Sequence, residues 1–419
     1  MGLLAAHPTA VAAQASVESA EPAVPALRIE VLTADPGDSI WERFGHNGLR
    51  IVDEASGLDI VWNWGLFYFD QEGFIPRLMR GTMLYAMAPQ STEAFLQEYA
   101  TAGRAVWAQE LDLTPAEARF VERAALENYE PENRQYRYDY YRDNCSTRIR
   151  DILDLALGGQ IRAATADVVT GTSYRWQTRR LLRPVFWAYT GIQLVLGNRA
   201  DEPITEWEEM FVPMNLRDHL GRVTIVRDGV QVPLVREARL VLPSGRAPVP
   251  RAPPRRWPVF LAIGLLWSGV VLVLAKAAAG GAWLPRAATV LLAGGWSLIA
   301  GVAGLVLALA WAFTDHVFWG WNENLLQTDP LSLLVAVGWV LLLFSRGVPG
   351  WVATLAASVA ALSLVGFALQ ALPGLDQVNG EILAATVPVN LAVAAAARGL
   401  VLPGRRPPSS VERALDPAA

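Results

Sequence analysis

The stretch YYRDNCSTRIRDILD, Tyr140–Asp154, holds the only cysteine of the chain, Cys145. Asp143 and Asn144 are residue types that cap helices. Ile149, Ile152, Leu153, Ala156 and Leu157 follow at helical spacing. Cys145 therefore falls in a first helical turn, where unsatisfied N–H groups and the helix dipole favour an anion. Such a setting lowers a thiol pKa and enriches the nucleophilic thiolate. A base is needed beside it. The chain has four histidines; His7 lies near the start and His219 in the polar stretch NLRDHL. His46 opens an alternating run, GHNGLRIV, between Gly45 and Asn47, and its glycines suit close backbone approach. A strand histidine facing a thiol at a helix N-terminus is a nucleophile–base pair for covalent catalysis. A buried inert cysteine and a locally satisfied strand histidine are the alternatives. Cysteine and histidine are too few and scattered for a metal cluster, and nothing calls for a cofactor.

The elements that must position the pair read as a mixed α+β domain over residues 28–241. LRIEVLTA (Leu27–Ala34), GHNGLRIV (Gly45–Val52) and LDIVWNWGLF (Leu58–Phe67) read as strands, the last two joined as a hairpin across DEASG. Thr114, Pro115 and Glu117 predict a capped helix running to about Tyr129. Residues 242–256, rich in proline and arginine, read as a linker.

The remainder is of a different kind. With 419 residues, 53% hydrophobic and 18% charged, the chain is too apolar for an ordinary soluble enzyme. The excess is concentrated in residues 257–402, a transmembrane domain of about five helices. The expected spans are Trp257–Ala275, Ala287–Phe313, Leu331–Phe344, Trp351–Leu372 and Ile382–Leu400. Leu331–Phe344 is short and either begins nearer Leu325 or is tilted. Lys276, Arg286 and Arg346 lie in two short loops, and Arg398, Arg405, Arg406 and Arg413 in or near the tail, 403–419, which reads as cytoplasmic. The loops Thr314–Asp329 and Pro373–Glu381 carry no lysine or arginine. Positive loops mark the cytoplasmic side, so the α+β domain faces the other way. Residues 1–27 read as a signal-like or disordered leader, although a basic n-region is missing and His7-Pro8 breaks its apolar core. A net charge of −5 and the lack of a basic stripe exclude a nucleic-acid partner.

WERFGHNGLRI followed by YRYDYYRDNCSTRIRDIL resembles the extracytoplasmic domain of the Lnb-type lipoprotein N-acyltransferases. TSYRWQTRRLL, GIQLVLGNRAD and MFVPMNLRDHL support the resemblance, and HVFWGWNENLLQTDPLSLL extends it weakly into the membrane part. The histidine-then-cysteine order is also similar to permuted papain-like folds of the NlpC and lecithin:retinol acyltransferase (LRAT-like) type. The expected fold class is thus an α+β permuted papain-like domain followed by an all-α transmembrane bundle.

The resemblance implies a membrane-bound acyltransferase with Cys145 as nucleophile and His46 as general base. A phospholipid would be the acyl donor and the amino-terminal cysteine of a lipoprotein the acceptor. The location implied is the bacterial inner (cytoplasmic) membrane, with the catalytic domain in the periplasm. The N–H of Cys145 is an oxyanion-hole candidate. Asn144 and Asn63 are candidates to assist that hole or orient His46, against ordinary capping or buried roles. Arg148 and Arg50 are candidates for a lipid head group, since arginine matches phosphate; internal ion pairs are the alternative. In the outer loop, His316, Asn322 and Asn324 are candidates to cap the site or guide lipid, or simply to close the loop. A membrane-anchored cysteine hydrolase and a non-catalytic membrane protein remain rival readings.

Overall fold

A computed structural model describes residues 27–67 and 70–401. The leader, apart from Leu27, and the tail lie outside these residues. The N-terminal part is built on an antiparallel sheet of seven strands: β1 (Arg28–Ala34), β2 (His46–Asp53), β3 (Leu58–Phe67), β4 (Leu84–Ser91), β5 (Val106–Leu111), β6 (Gln135–Arg137) and β7 (Val235–Leu242). Their spatial order is β7-β5-β1-β2-β3-β4-β6. The expected hairpin is β2–β3, with Ile51 opposite Ile60 and Gly48 opposite Asn63. Central β1 is buried on both faces, so helices cover the sheet twice. One face packs Leu32, Ala34 and Val61 against Phe95 and Tyr99 of the Thr92–Thr101 helix. The other packs Ile29, Val31, Leu49 and Ile51 against the Pro115–Tyr129 and Cys145–Ala156 helices. The first of these carries the expected Thr114–Glu117 capping box.

After the Cys145 helix the chain forms short helices and two-stranded ribbons around an aromatic cluster of Tyr141, Tyr174 and Phe211. Phe318, from the loop between membrane helices, completes that cluster with ring centroids 4.8 Å from Tyr141 and 5.1 Å from Tyr174. The outer loop is thus part of the domain core. Residues 243–256 have no regular structure, and Arg246 fastens them to Asp38 at 2.8 Å.

Four of the five expected spans are long helices. Four helices are long and apolar enough to span a bilayer: Trp257–Ala279, Trp283–Phe313, Gly350–Leu369 and Gly380–Gly399. The third expected span contains only a short helical stretch, Ser332–Leu343. At 1.5 Å per residue that is roughly 18 Å, short of a hydrocarbon core of about 30 Å. Residues 322–345 nevertheless run antiparallel along the whole Trp283–Phe313 helix. Thr328 lies against Gly304, Leu333 against Gly301 and Trp339 against Gly294, and Arg286 Nη1 donates to Ser345 O at 2.7 Å. The outer third of this stretch is one 3-10 turn, Glu323–Leu326, followed by irregular backbone up to Leu331. Irregular backbone at membrane depth survives only where protein satisfies it. Here Gln327 Nε2 donates to Ser363 O at 3.1 Å, Asn390 Nδ2 to Gln327 O at 3.1 Å and Thr386 Oγ1 to Gln327 Oε1 at 3.0 Å. Pro388 interrupts the last helix and cannot bond the Ala384 carbonyl. Gly264 of the first span packs onto that place, where a Cβ would sit 3.0 Å from Ala384 O and 2.6 Å from Ala385 O.

Candidate active site

Cys145 is the first residue of its helix, and the cap is built from its neighbours. Asn144 Oδ1 accepts from the N–H groups of Ser146 at 2.8 Å and Thr147 at 3.0 Å. Its amide donates to Tyr140 O and Phe211 O, both at 3.0 Å. All of this side chain's capacity goes into holding the turn. The cap leaves the N–H of Cys145 itself unused.

His46 is the first residue of β2, paired with Ala34. Its neighbours in the strand point to opposite faces. On one side Asn47, fully buried, donates to Thr33 Oγ1 at 2.8 Å and to Leu32 O at 3.3 Å, and accepts a short hydrogen bond from Ser146 Oγ. That bond ties β2 to the residue after the cysteine. On the other side the His46 ring stacks near Tyr99, centroids 6.4 Å apart, and near Phe95 at the same distance. His46 Nε2 hydrogen-bonds Asn63 Oδ1 at 3.1 Å. An amide oxygen only accepts, so Nε2 donates and Nδ1 is left for the thiol. The imidazole and the Cys145 thiol lie close enough for each to act on the other's charge. Thiol, imidazole and amide thus form a relay, and both Cys145 and His46 are half-buried.

Electrostatics within the pair favour charge separation. Burial pushes the Cys145 thiol up, but the facing imidazolium, its hydrogen bond and the backbone N–H groups of Asn47 and Ser146 outweigh it, and the thiol sits below its ordinary value. Burial likewise opposes the imidazolium, while the thiolate and Asn63 hold His46 above its ordinary value. Both shifts favour a proton on nitrogen and a nucleophilic thiolate on sulfur.

Gly65 lies beside Cys145. The β3–β4 register shifts between Asn63 and Leu66, and Gly65 takes φ +87°, a region open to glycine at little cost. A Cβ there would stand 3.8 Å from Cys145 Cβ. The bulge turns the strand past the nucleophile without a side chain over it. Asn47, Ser146 and Gly65 were not singled out by sequence reasoning. The signal for Asn47 was its place beside His46; that for Gly65 was a glycine interrupting a strand pattern.

The remaining candidates lie elsewhere in the interaction network. Arg148 makes a bidentate pair with Asp143, its Nη2 2.6 Å from Oδ2, beneath which lies the Tyr136 ring at 4.1 Å. Arg50 spans Glu30 and Asp59, 2.7 Å from each. Both guanidinium groups are committed to carboxylates, so the internal pairing is what the fold provides. His316 stacks on Trp319 with centroids 4.3 Å apart and packs on Gly81; burial holds its imidazole below the ordinary value. Asn322 donates to Leu194 O and Val195 O, both at 2.9 Å, and Asn324 to Gln193 O at 3.1 Å and Leu194 O at 2.9 Å. These carbonyls end the Phe186–Val195 helix and lack partners within it. The two asparagines therefore cap a helix of the domain from a membrane loop. His219, buried, bonds Glu209 at 2.9 Å, away from the cysteine relay.

Residues 14–184, which include His46, Asn63 and Cys145, match the family described as the Lnb N-terminal periplasmic domain. The chain carries a domain of the Lnb family. His46 and Cys145, the two residues that carry the resemblance, lie together within the matched segment. No curated protein and no solved structure matches the chain. With the Lnb domain on one side and four apolar helices following it, the protein is a multi-pass membrane protein with a periplasmic domain.

Proposed function

We propose that this protein is a lipoprotein N-acyltransferase of the inner membrane working through a thioester. The observation that carries the reading is the Cys145–His46–Asn63 relay at a helix N-terminus of the Lnb domain. The Cys145 thiolate attacks the ester carbonyl of a phospholipid. The C–O bond breaks, His46 Nδ1–H gives its proton to the leaving lysophospholipid alkoxide, and an acyl-thioester remains on sulfur. The uncharged α-amine of a lipoprotein's terminal cysteine then attacks that carbonyl. His46 accepts the amine proton, the C–S bond breaks and an amide forms, with the thiolate restored. Splitting one acyl transfer into two steps lowers each barrier. The N–H of Cys145 faces the developing oxyanion, a contribution of about 3 kcal/mol where measured in other acyl-transfer sites. Asn63 keeps the imidazole turned toward sulfur. The strand-histidine and helix-cysteine order supports a permuted papain-like reading of the fold.

The test is mass spectrometry of lipoprotein N-termini from cells lacking this protein and complemented with wild type, Cys145→Ala or His46→Ala. Wild type alone is expected to restore the N-acyl chain. An acyl count that is the same with and without the protein rejects the transferase, and a hydrolase on the same relay then takes its place.

A further inference from the structure

Three outer helix ends meet beside the domain: the start of Trp257–Ala279, the end of Gly350–Leu369 and the start of Gly380–Gly399. Between them lies a groove of about 780 Å³. Its mouth carries Arg179, Arg255 and Trp257, and its walls include Leu261, Phe367 and Val387. Val387 is seven residues into its helix, so at 1.5 Å per residue the groove descends about 10 Å below the mouth. The mouth sits at the domain's edge, since Glu381 accepts from Arg179 Nη2 at 2.9 Å, from Tyr189 and from the Arg256 N–H at 3.0 Å. The groove thus opens at head-group level and runs into the outer leaflet.

The charges at the mouth do not cancel. Arg179 is paired with Glu381. Arg255 is exposed and makes no ion pair among the described residues. Arg179, Arg255 and Glu381, the charged residues of the lining, leave one net positive charge above an apolar slot, next to a tryptophan whose ring suits the interface. Lipid tails alone would need no cation there, and a soluble anion would not need the slot. We propose that this groove is a binding site for one membrane phospholipid, with its phosphate on Arg255 and an acyl chain along Leu261, Phe367 and Val387. The site is separate from the relay at Cys145 and does not depend on chemistry there. A lipid seated in it fills the seam between the domain, which supplies Arg179, and the bundle.

Native mass spectrometry of the full chain tests this. Cys145→Ala serves as the parent, because no acyl-enzyme can form on it. Phosphatidylglycerol and a diacylglycerol with the same chains are the two probes. One phosphatidylglycerol is expected to remain bound, and the diacylglycerol, lacking phosphate, to be lost. Arg255→Gln is expected to weaken retention by about tenfold, the loss typical of one charge-assisted contact. Val387→Trp should remove retention by filling the slot. Leu298→Trp, on an exposed face of the second helix, should leave it unchanged. Arg255 is exposed, so its replacement does not endanger folding. Equal retention of the diacylglycerol, or unchanged retention in both groove variants, overturns the proposal. Because the parent lacks the nucleophile, that result would leave the acyltransferase reading intact. Conversely, lipid retention in a protein shown to transfer no acyl chain would sink only the acyltransferase.

Discussion

Cys145 gains its reactivity from three neighbours that act on one proton. The ordinary thiol pKa is about 8.5 and that of imidazole about 6.5. Here the thiol lies below its ordinary value and the imidazole above its own. Both shifts favour the thiolate–imidazolium pair, which acid opposes by protonating the sulfur and alkali by removing the imidazolium proton. The expected outcome is that alkylation of Cys145 by iodoacetamide has its inflection at lower pH than free cysteine. His46→Ala should move that inflection upward, and Asn63→Ala should move it in the same direction by less. A wild-type inflection at or above that of free cysteine would contradict the ion pair. This much was legible early, because a lone cysteine after Asn144 and a histidine between Gly45 and Asn47 are unusual placements. The contributions of Asn47 and Gly65 were not. They depend on which strand crosses which helix and where a bulge falls, and neither follows from spacing along the chain.

At the scale of elements, the relay rests on how β2 meets the Cys145 helix. The hydrogen bond between Ser146 and Asn47 is buried at both ends. Removing one partner leaves the other unsatisfied, which costs about 1–3 kcal/mol, whereas removing both costs less. Asn47→Ala is therefore expected to destabilise the protein by that amount. Asn47→Ala with Ser146→Ala should destabilise it by less than the sum of the single changes, as read by thermal unfolding. Strict additivity would show that the bond does not couple strand to helix. The hairpin, the Thr114 cap and the helix after Asn144 were all readable, since local capping and alternation dictate them. The irregular outer part of the third expected span was not. It is held by Gln327, Ser363, Thr386 and Asn390, and side-chain partners that distant replace a helix the hydropathy pattern predicts.

On the scale of the whole molecule, domain and bundle are joined by polar groups that only the fold brings together. Glu381 collects Arg179, Tyr189 and the Arg256 N–H; Asn322 and Asn324 cap the Phe186–Val195 helix; Phe318 enters the aromatic core. The orientation of the bundle was legible from its positive loops, but this seam was not, because its partners lie more than a hundred residues apart. Glu381→Ala leaves Arg179 half-buried without its carboxylate. Breaking such a buried pair typically costs about 3–5 kcal/mol. The expected result is a lower unfolding temperature and faster proteolysis within residues 243–256. Unchanged cleavage would mean that the domain seats without this pair. A fixed seat matters for the proposed chemistry, since both substrates are anchored in the membrane and the thiol must meet them at its surface.

The central claim is that an acyl chain passes through the sulfur of Cys145. Its most direct test is the intact mass of the purified protein after incubation with a phospholipid of known chains. The account predicts an added mass equal to one acyl group, located on Cys145, released by hydroxylamine and transferred to a peptide with a diacylglyceryl-cysteine N-terminus. An unmodified Cys145 in protein that transfers the chain, or undiminished transfer by Cys145→Ala, would contradict it.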